Sequence, residues 1–395
     1  MKAKELAQLV ASQVCIHAGM AGTRMAAPLL ALRDGYSPLS VGVLLALFSL
    51  SQVFLALPAG RFADRHGLHR PMAIAVAAAI LGAALATAFP LFPVLCLAAL
   101  LTGAATGIAS IALQRHVGRA ASGTGDLKRV FSWLAIGPAM SNFVGPVTCG
   151  LLIDHAGRVP GDTTGYRFAF LLMAVLPLVS WFLVRRVAEL GPVRSAEPGG
   201  RARTWDLVST PSMRRLLLVN WAMSSAWDVH SFAVPVLGHE RAFSASVVGG
   251  ILASFAIAAA GVRVFLPLFA ARAREHVVVS LAMVTTALVF VVYPFMHVPL
   301  AMGAASVLLG VALGSVQPMV MSTLHQITPP DRHGEALGLR LMAINASSVL
   351  MPLLFGTVGA VVGVSVVFWS VGAAVAAGVH PAWKLRPPAH SVPHP

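Results

Sequence analysis

The chain has 395 residues, 57% of them hydrophobic and 11% charged, with a mean hydropathy of +0.80. So few charged groups cannot cover a water-facing surface of this size, which excludes a soluble fold and predicts a membrane protein. The 28 Lys+Arg against 14 Asp+Glu point to nucleic acid, anionic lipid or membrane orientation, and only the positions of the charges decide among these.

A helix needs roughly 20 apolar residues to cross about 30 Å of hydrocarbon. Apolar runs of that length, broken at charges and Gly/Pro clusters, predict spans near residues 6–32, 39–59, 71–90, 92–114, 130–153 and 167–187. A second set is predicted near 213–237, 244–268, 276–296, 299–325, 335–360 and 364–383. Lys2 and Lys4 precede the first run without a small-residue cleavage site, so that run reads as a retained helix, not a signal peptide. Between the sets lies VRRVAELGPVRSAEPGGRARTWDLVSTPSMRR, rich in Gly, Pro and Arg, which reads as a linker. The expected organisation is an N-terminal six-helix bundle over 1–187, a cytoplasmic linker over 188–212 and a C-terminal six-helix bundle over 213–395. TGAATG at 102–107 corresponds to LGVALG at 309–314, and SNFVGPVTCG at 141–150 to SSVLMPLLFG at 347–356, with offsets of 207 and 206. Repeated halves place a transporter's solute site between them near the midplane.

With the N-terminus in the cytoplasm, Lys and Arg crowd the cytoplasmic side. The outer side receives Arg33, Arg158, Arg167 and Arg241, while Arg24, Arg263 and Arg340 fall within spans or at their ends. This is the asymmetry of the positive-inside rule, so nucleic acid need not be invoked and both termini are expected in the cytoplasm. Cys15, Cys96 and Cys149 lie in apolar runs with no CxxC or Cys/His metal spacing, and the His are scattered, so neither disulfide, metal nor cofactor is expected. There is no GxxxxGK[ST] loop and no room for an ATPase domain.

Two motifs carry a resemblance. Between spans 2 and 3 the chain reads GRFADRHGLHR, from Gly60 to Arg70. This resembles the signature loop of the major facilitator superfamily, with Gly60, Ala63, Asp64, Arg65, Gly67 and Arg70 in place and His69 where a basic residue usually stands. The second-half counterpart, LFAARAREHV, has Arg272 and Arg274 but no Asp, a degenerate copy. Span 5 contains NFVGPVTCG, similar to the glycine-rich motif of the superfamily's proton-coupled exporters. Gly145, Pro146 and Gly150 match it, while Ser141 and Cys149 stand in for glycines, and span 4 lacks the Arg that drug exporters often carry in its outer half. Gly145 and Pro146 are expected to bend the helix and let a neighbour approach. The resemblance implies an all-α membrane protein of twelve transmembrane helices in two pseudo-symmetric six-helix bundles, a transporter and not an enzyme, in which spans 3, 6, 9 and 12 form an outer scaffold.

Ionisable groups inside spans cost about 2.5 to 3.5 kcal/mol each on insertion scales and tend to face a cavity or a partner. In span 7, Asn220, Ser224, Asp228, Ser231 and Pro235 recur at helical spacing on one face, with Trp227 at its edge. Asp228 is the first candidate for proton coupling; the competing reading is a structural Asp paired with a buried Arg. His230 lies on the opposite face unless the helix unwinds, and is a weaker proton-coupling candidate. In span 1, Gln13, His17, Arg24 and Pro28 form a second polar stripe. His17 is either a proton-coupling group or a packing residue. Arg24 is read as a solute contact, as a partner of Asp228 or as a snorkelling side chain. Gln52, Asn142, Gln317 and Asn345 are further candidates for the solute cavity, each equally able to serve as interhelical glue. Asp64 is expected to pair with Arg115 and with the N-terminus of span 11 near Gly334 to Gly338, or with Arg340, and so to form a gate. For Arg61, Arg65 and Arg70 plain orientation charge is the preferred reading.

The function expected is secondary active transport of a small solute across the inner (plasma) membrane by alternating access, proton-coupled and directed to efflux of a drug or metabolite. The alternatives are a small organic-anion transporter and, from a different class, a non-transporting receptor or scaffold. The partners expected are the solute, protons and the lipid bilayer, with the protein a monomer.

Overall fold

The computed structural model describes residues 2–36, 38–155, 163–190, 204–241, 243, 245–269 and 273–385. Most of the linker, Arg158, Arg272 and the last residues of the chain therefore lie outside the described residues. The described residues form helices joined by short turns and irregular segments, with no strand among them. In chain order the helices are α1 (Ala3–Arg33), α2 (Pro38–His66), α3 (His69–Ala88), α4 (Phe92–Ala120), α5 (Thr124–Leu134), α6 (Ile136–His155) and α7 (Thr164–Val184). They continue with α8 (Thr204–Ser209), α9 (Pro211–Glu240), α10 (Ala245–Phe269), α11 (Glu275–Val292), α12 (Pro299–Ile327), α13 (His333–Val362), α14 (Val364–Ala377) and α15 (Val379–Trp383).

Each expected span falls on helix, most of them on a single element and the spans near 130–153, 276–296 and 364–383 on consecutive ones, because backbone N–H and C=O groups in hydrocarbon have no water to bond and must satisfy one another within the segment. Among the described residues, eight helices are long and apolar enough to cross a membrane. Large apolar side chains such as Phe54, Ile257, Leu268 and Leu300 lie exposed, which suits a lipid-facing surface and not a watery one.

Two expectations on local structure are corrected. Span 5 is not one helix: α5 ends at Leu134 and α6 begins at Ile136. Pro138 has no N–H to return to the carbonyl of Leu134, so the hydrogen-bond ladder lapses there. The signature segment is also not a loop. Gly60 to His66 form the last turns of α2, and only Gly67 and Leu68 make the turn, Gly67 in the left-handed region at φ 73°.

The chain divides into two compact units. Unit 1 comprises Met1–Ser122, Trp133–Pro198 and Pro330–Val349; unit 2 comprises Gly123–Ser132, Gly199–Pro329 and Leu350–Pro395. Most of α5 thus belongs to unit 2, and the first half of α13 to unit 1.

Within unit 1, α1 packs on α6 and α7, and α4 on α2 and α3. Its core is built from Leu30, Leu44, Phe48, Leu95, Phe170 and Met173, each almost wholly buried. Small residues set the helix spacing. A Cβ on Gly145 would lie 2.5 Å from the Ala18 carbonyl oxygen and 2.8 Å from the Gly22 nitrogen, so α6 can approach α1 only without one.

The same device appears once in each unit at the repeat offset. Gly103 of α4 lies against the backbone of Phe48 in α2, and Gly310 of α12 against the backbone of Phe255 in α10. One turn on, Gly107 faces Gln52 and Gly314 faces Ala259. All four correspondences fall at 207 residues, so the repeated glycines are contact residues and not compositional coincidence.

Candidate functional site

At the end of α2 in unit 1, Asp64 is the hub of a polar junction. Arg115 of α4 donates Nε to Asp64 Oδ1 at 2.6 Å and Nη2 to the Asp64 carbonyl at 3.1 Å. At the start of α13 the backbone N–H of Gly334 donates to Oδ1 at 2.8 Å and that of Glu335 to Oδ2 at 2.9 Å. Both carboxylate oxygens are thereby engaged by donors, and the helix N-terminus adds its own positive polarisation. The side chains of Arg115 and Asp64 are only 3% and 9% exposed.

Contact here is possible because three glycines carry no side chain. Gly60 and Gly334 meet backbone to backbone, and a Cβ on Gly338 would lie 3.0 Å from the Ala56 carbonyl carbon. Glu335 continues the network, accepting from Arg61 Nε at 3.1 Å and from Arg332 Nε at 2.8 Å. Arg65 and Arg70 are exposed. Arg340 is buried one turn further along α13, while the ion pair of Asp64 is with Arg115.

The turn after α2 captures a second carboxylate. Glu189, just beyond α7, accepts from the N–H of Leu68 at 2.6 Å and of His69 at 3.2 Å, and its Oε2 pairs with His69 Nδ1 at 3.0 Å. Burial pushes the Glu189 carboxyl up, but these two N–H groups and the His69 charge outweigh it and hold the group below the usual carboxylate range. A side chain on Gly67 would collide with the same carboxylate.

The α1 stripe divides. Gln13 is buried against Gly137 of α6. His17 lies between the Gln13 carbonyl, 3.1 Å from Nδ1, and the Ser110 hydroxyl of α4, 3.1 Å from Nε2. Arg24 is exposed further along α1. Gln52 turns back to the Phe48 carbonyl at 3.4 Å and Asn345 to the Leu341 carbonyl at 2.9 Å, each within its own helix. Asn142 is exposed on α6 and Gln317 half-buried on α12. Gly145 and Pro146 lie within α6, which continues as helix through both.

In unit 2, Asn220 is buried and Ser224, Trp227 and Asp228 are half-buried along α9. His230 sits on the other side of that helix, fully buried. Its Nε2 is 2.9 Å from the Ser306 hydroxyl of α12, its ring stacks on Phe255 with centroids 4.2 Å apart, and Ser306 in turn meets the Tyr293 hydroxyl at 2.8 Å. Asp228 and His230 therefore face different surroundings, one a polar helix face and the other an aromatic pack.

A second buried ion pair stands where α5 meets α11 and α12. Lys128 Nζ lies 3.3 Å from Glu275 Oε1 and donates to the Ala273 carbonyl. Glu275 Oε1 also accepts from Ser322 Oγ at 3.1 Å and Gln326 Nε2 at 2.9 Å, and Phe131 of α5 packs on the His325 ring at 5.0 Å. Reading the sequence for a second Asp missed this group. With so few acids in the chain, an acid at the very start of span 9 and another, Glu335, at the start of span 11 were the available signals. Arg263 of α10, noted only as a charge within a span, is buried, donates Nε to the Gly314 carbonyl at 3.3 Å and lies 5.6 Å over the Trp227 ring.

A helical chain with buried charge junctions between span ends and polar groups inside the spans is built as a multi-pass membrane transporter. The Major Facilitator Superfamily model matches residues 9–220 and 216–395, so the chain belongs to that superfamily. Among solved structures, it is similar to a bacterial homologue of the iron transporter ferroportin in an outward-facing state, with TM-score 0.81 and 14% identity, covering 98% of this chain and 99% of that one. It is also similar to a human organic anion transporter (TM-score 0.78, 15% identity, 97% and 100% covered). A further likeness is to the transporter FucP in the outward conformation (TM-score 0.77, 13% identity, 96% and 98% covered). At such identities these likenesses establish the fold. No curated protein sequence matches the chain.

Proposed function

We propose that the protein is a proton-coupled secondary active transporter that moves a small solute across the inner membrane by alternating access, in the direction of efflux. The reading is carried by the Asp64 junction. A buried carboxylate binds an Arg and two backbone N–H groups at the start of α13, through glycine contacts that nothing larger would permit. A helix that begins in one compact unit and continues in the other is a suitable element for a two-state change, and a charge tie at its start is a suitable latch. Asp228, half-buried at mid-helix in α9, is the proposed proton carrier. A membrane carboxylate that takes up and releases a proton in alternate states supplies the coupling, and His17, between two polar partners, is the second group to test.

The solute is proposed to be an amphipathic drug or metabolite. A small organic anion is the second reading, favoured by the buried cation Arg263 in unit 2 and by Arg24 on α1. The N-terminal six-helix bundle (1–187), linker (188–212) and C-terminal six-helix bundle (213–395), cytoplasmic termini and a monomeric state belong to the same proposal.

The test is flux in proteoliposomes with an imposed pH gradient and a pH-sensitive dye inside. Solute addition is expected to move protons with the wild type, and the movement is expected to vanish in Asp228→Asn while solute still binds. Undiminished proton movement in that variant removes Asp228 from the mechanism. Solute binding without flux in the wild type points instead to a receptor.

A further inference from the structure

We infer that His69 and Glu189 form a pH-operated clasp between the turn after α2 and the end of α7, closed when the His69 ring is protonated and released when it is neutral. The inference lies within unit 1 and does not depend on the solute, the direction or the coupling of transport.

The clasp is built as two reciprocal caps. The first N–H groups of a helix and its last carbonyls have no partner within the helix, and its ends favour opposite charges, negative at the start and positive at the finish. Leu68 stands at the cap position of α3 and offers no capping side chain. Glu189, from just beyond α7, accepts the N–H groups of Leu68 and His69 in its place. In return the His69 ring, from the first residue of α3, reaches the end of α7, where Nε2 lies 3.3 Å from the carbonyl oxygen of Val184 and 3.1 Å from that of Val187. Ring and carboxylate then meet each other, Nδ1 to Oε2 at 3.0 Å. An anion is thus set at the start of α3 and a cation at the end of α7, each at the pole that favours it. Glu189 also stands at the beginning of the expected linker, so the clasp fixes where the linker leaves unit 1.

The protonation state follows from what the ring nitrogens face. The oxygens within their reach are the carbonyls of Val184 and Val187 and the carboxylate of Glu189, all of them acceptors. An imidazolium donates from both nitrogens, whereas a neutral ring donates from one and turns the lone pair of the other toward an acceptor. Loss of the proton therefore costs the ring a hydrogen bond and Glu189 its charge partner. Histidine makes this change between about pH 5 and 8, and the side chain is 28% exposed, so it trades protons with water directly. The other charges nearby do not take the place of Glu189. From α4, His116 is buried within electrostatic reach of both His69 and Glu189, with Arg115 and Arg119 beside it. From α2, Asp64 is committed to Arg115, His66 turns back to the Phe62 carbonyl and Arg65 is exposed. Arg70 of α3 and Arg185 and Arg186 after α7 are exposed as well.

The experiment uses the full chain in detergent micelles at about pH 5.5 and about pH 8.5, toward the two ends of the histidine range. Unfolding temperatures of wild type, His69→Gln, Glu189→Gln and the double variant give the coupling between the two residues. The contacts of the charged ring are present at low pH and lost as it gives up its proton, so the coupling is expected to be favourable at the lower pH and absent at the higher. A nitroxide on a cysteine placed at Ala188, exposed beside Glu189, reports local motion once Cys15, Cys96 and Cys149 are replaced by alanine. Its mobility is expected to rise with pH when His69 and Glu189 are intact, to be high at both pH values in His69→Gln, and to be low at both in His69→Arg, whose charge persists. The unfolding temperatures show whether each variant folds, and Glu189→Gln, with high mobility expected at both pH values, carries the label test if His69→Gln does not.

Three results overturn the inference. Coupling of equal size at both pH values shows a hydrogen-bonded pair that does not respond to protons. Label mobility that follows pH just as steeply in His69→Gln assigns the response to another group, with His116 the first to examine. A label equally immobile at both pH values when the pair is intact shows that the end of α7 is held without the charge on His69.

Discussion

The junction around Asp64 in unit 1 and the one around Lys128 in unit 2 occupy corresponding places in the internal repeat, yet they use opposite chemistry. At the repeat offset, Ser322 corresponds to Arg115 and Lys128 to Gly334. In unit 1 the charge sits at the end of α2, and the helix it holds, α13, contributes backbone N–H groups. In unit 2 the helix that is held, α5, brings the charge itself as Lys128, while α11 supplies Glu275 and the segment just before it the carbonyl of Ala273. The degenerate second signature segment has therefore not left its unit without a tie. A buried charge at this place is common to both, while the residue that carries it is not.

The largest effect is expected at Asp64. Asp64→Ala leaves Arg115 buried without its carboxylate and strips both N–H groups at the start of α13 of their acceptor. Losing one partner of a buried pair costs about 3 kcal/mol or more. A lower unfolding temperature in detergent and faster alkylation of a cysteine placed at Leu337, which is buried in the wild type, are the expected readouts. Asp64→Asn keeps an acceptor and should show the alkylation with less loss of stability. Unchanged alkylation in both variants would show that the junction is no latch.

Next in size are the repeated glycines. Gly103→Ala and Gly310→Ala each push a Cβ against the backbone of a neighbouring helix, at a typical overpacking cost of about 1 to 3 kcal/mol. Because the contacts are equivalent, the two losses should match within error. Gly303→Ala, which meets open space, serves as the control and should be close to neutral. A large difference between Gly103 and Gly310 would break the equivalence of the two units at this level.

Lys128→Met should cost less than Asp64→Ala, since Glu275 keeps the Ser322 and Gln326 donors. The informative variant is the swap Lys128→Glu with Glu275→Lys. An ion pair that acted by charge alone would be restored by reversal. Here the swap places a carboxylate beside the Ala273 carbonyl and takes an acceptor away from Ser322 and Gln326, so stability should stay low. Full recovery in a thermal unfolding assay would mean that the hydrogen bonds around the pair contribute little.

How far the sequence predicted these groups follows from what each depends on. Helix positions were legible because hydrocarbon forces every spanning backbone to satisfy itself, so hydropathy alone marks the segments. The break at Ala135 was not visible in hydropathy, which continues smoothly through it; Pro138 was the available signal. Asp64, Arg115 and Gly334 could be brought together on paper because a motif named the acid and the repeat named the helices. Lys128 and Glu275 could not, since they replace the motif by a different pairing. For Arg263, the sequence shows only a charge within a span, and its contacts with Gly314 and Trp227 depend on packing that hydropathy does not encode.

The smallest expected effect sharpens the comparison within unit 1, where Asp64 and Glu189 both bind backbone N–H groups but differ in exposure. The Glu189 side chain is 37% exposed, so solvent screens its contacts and Glu189→Gln should lower stability by less than about 1 kcal/mol. The sign with pH is set by its depressed carboxyl. A group that ionises more readily in the folded chain than in the unfolded one adds stability above its unfolded value, close to the ordinary 4.5, and loses it as pH falls through the folded value. The difference in unfolding temperature between wild type and Glu189→Gln should therefore shrink on acidification below about pH 4.5. A difference that instead grew as pH fell would mean that the N–H groups of Leu68 and His69 do not favour the ionised carboxylate, and the turn after α2 would then be held by the glycine geometry alone.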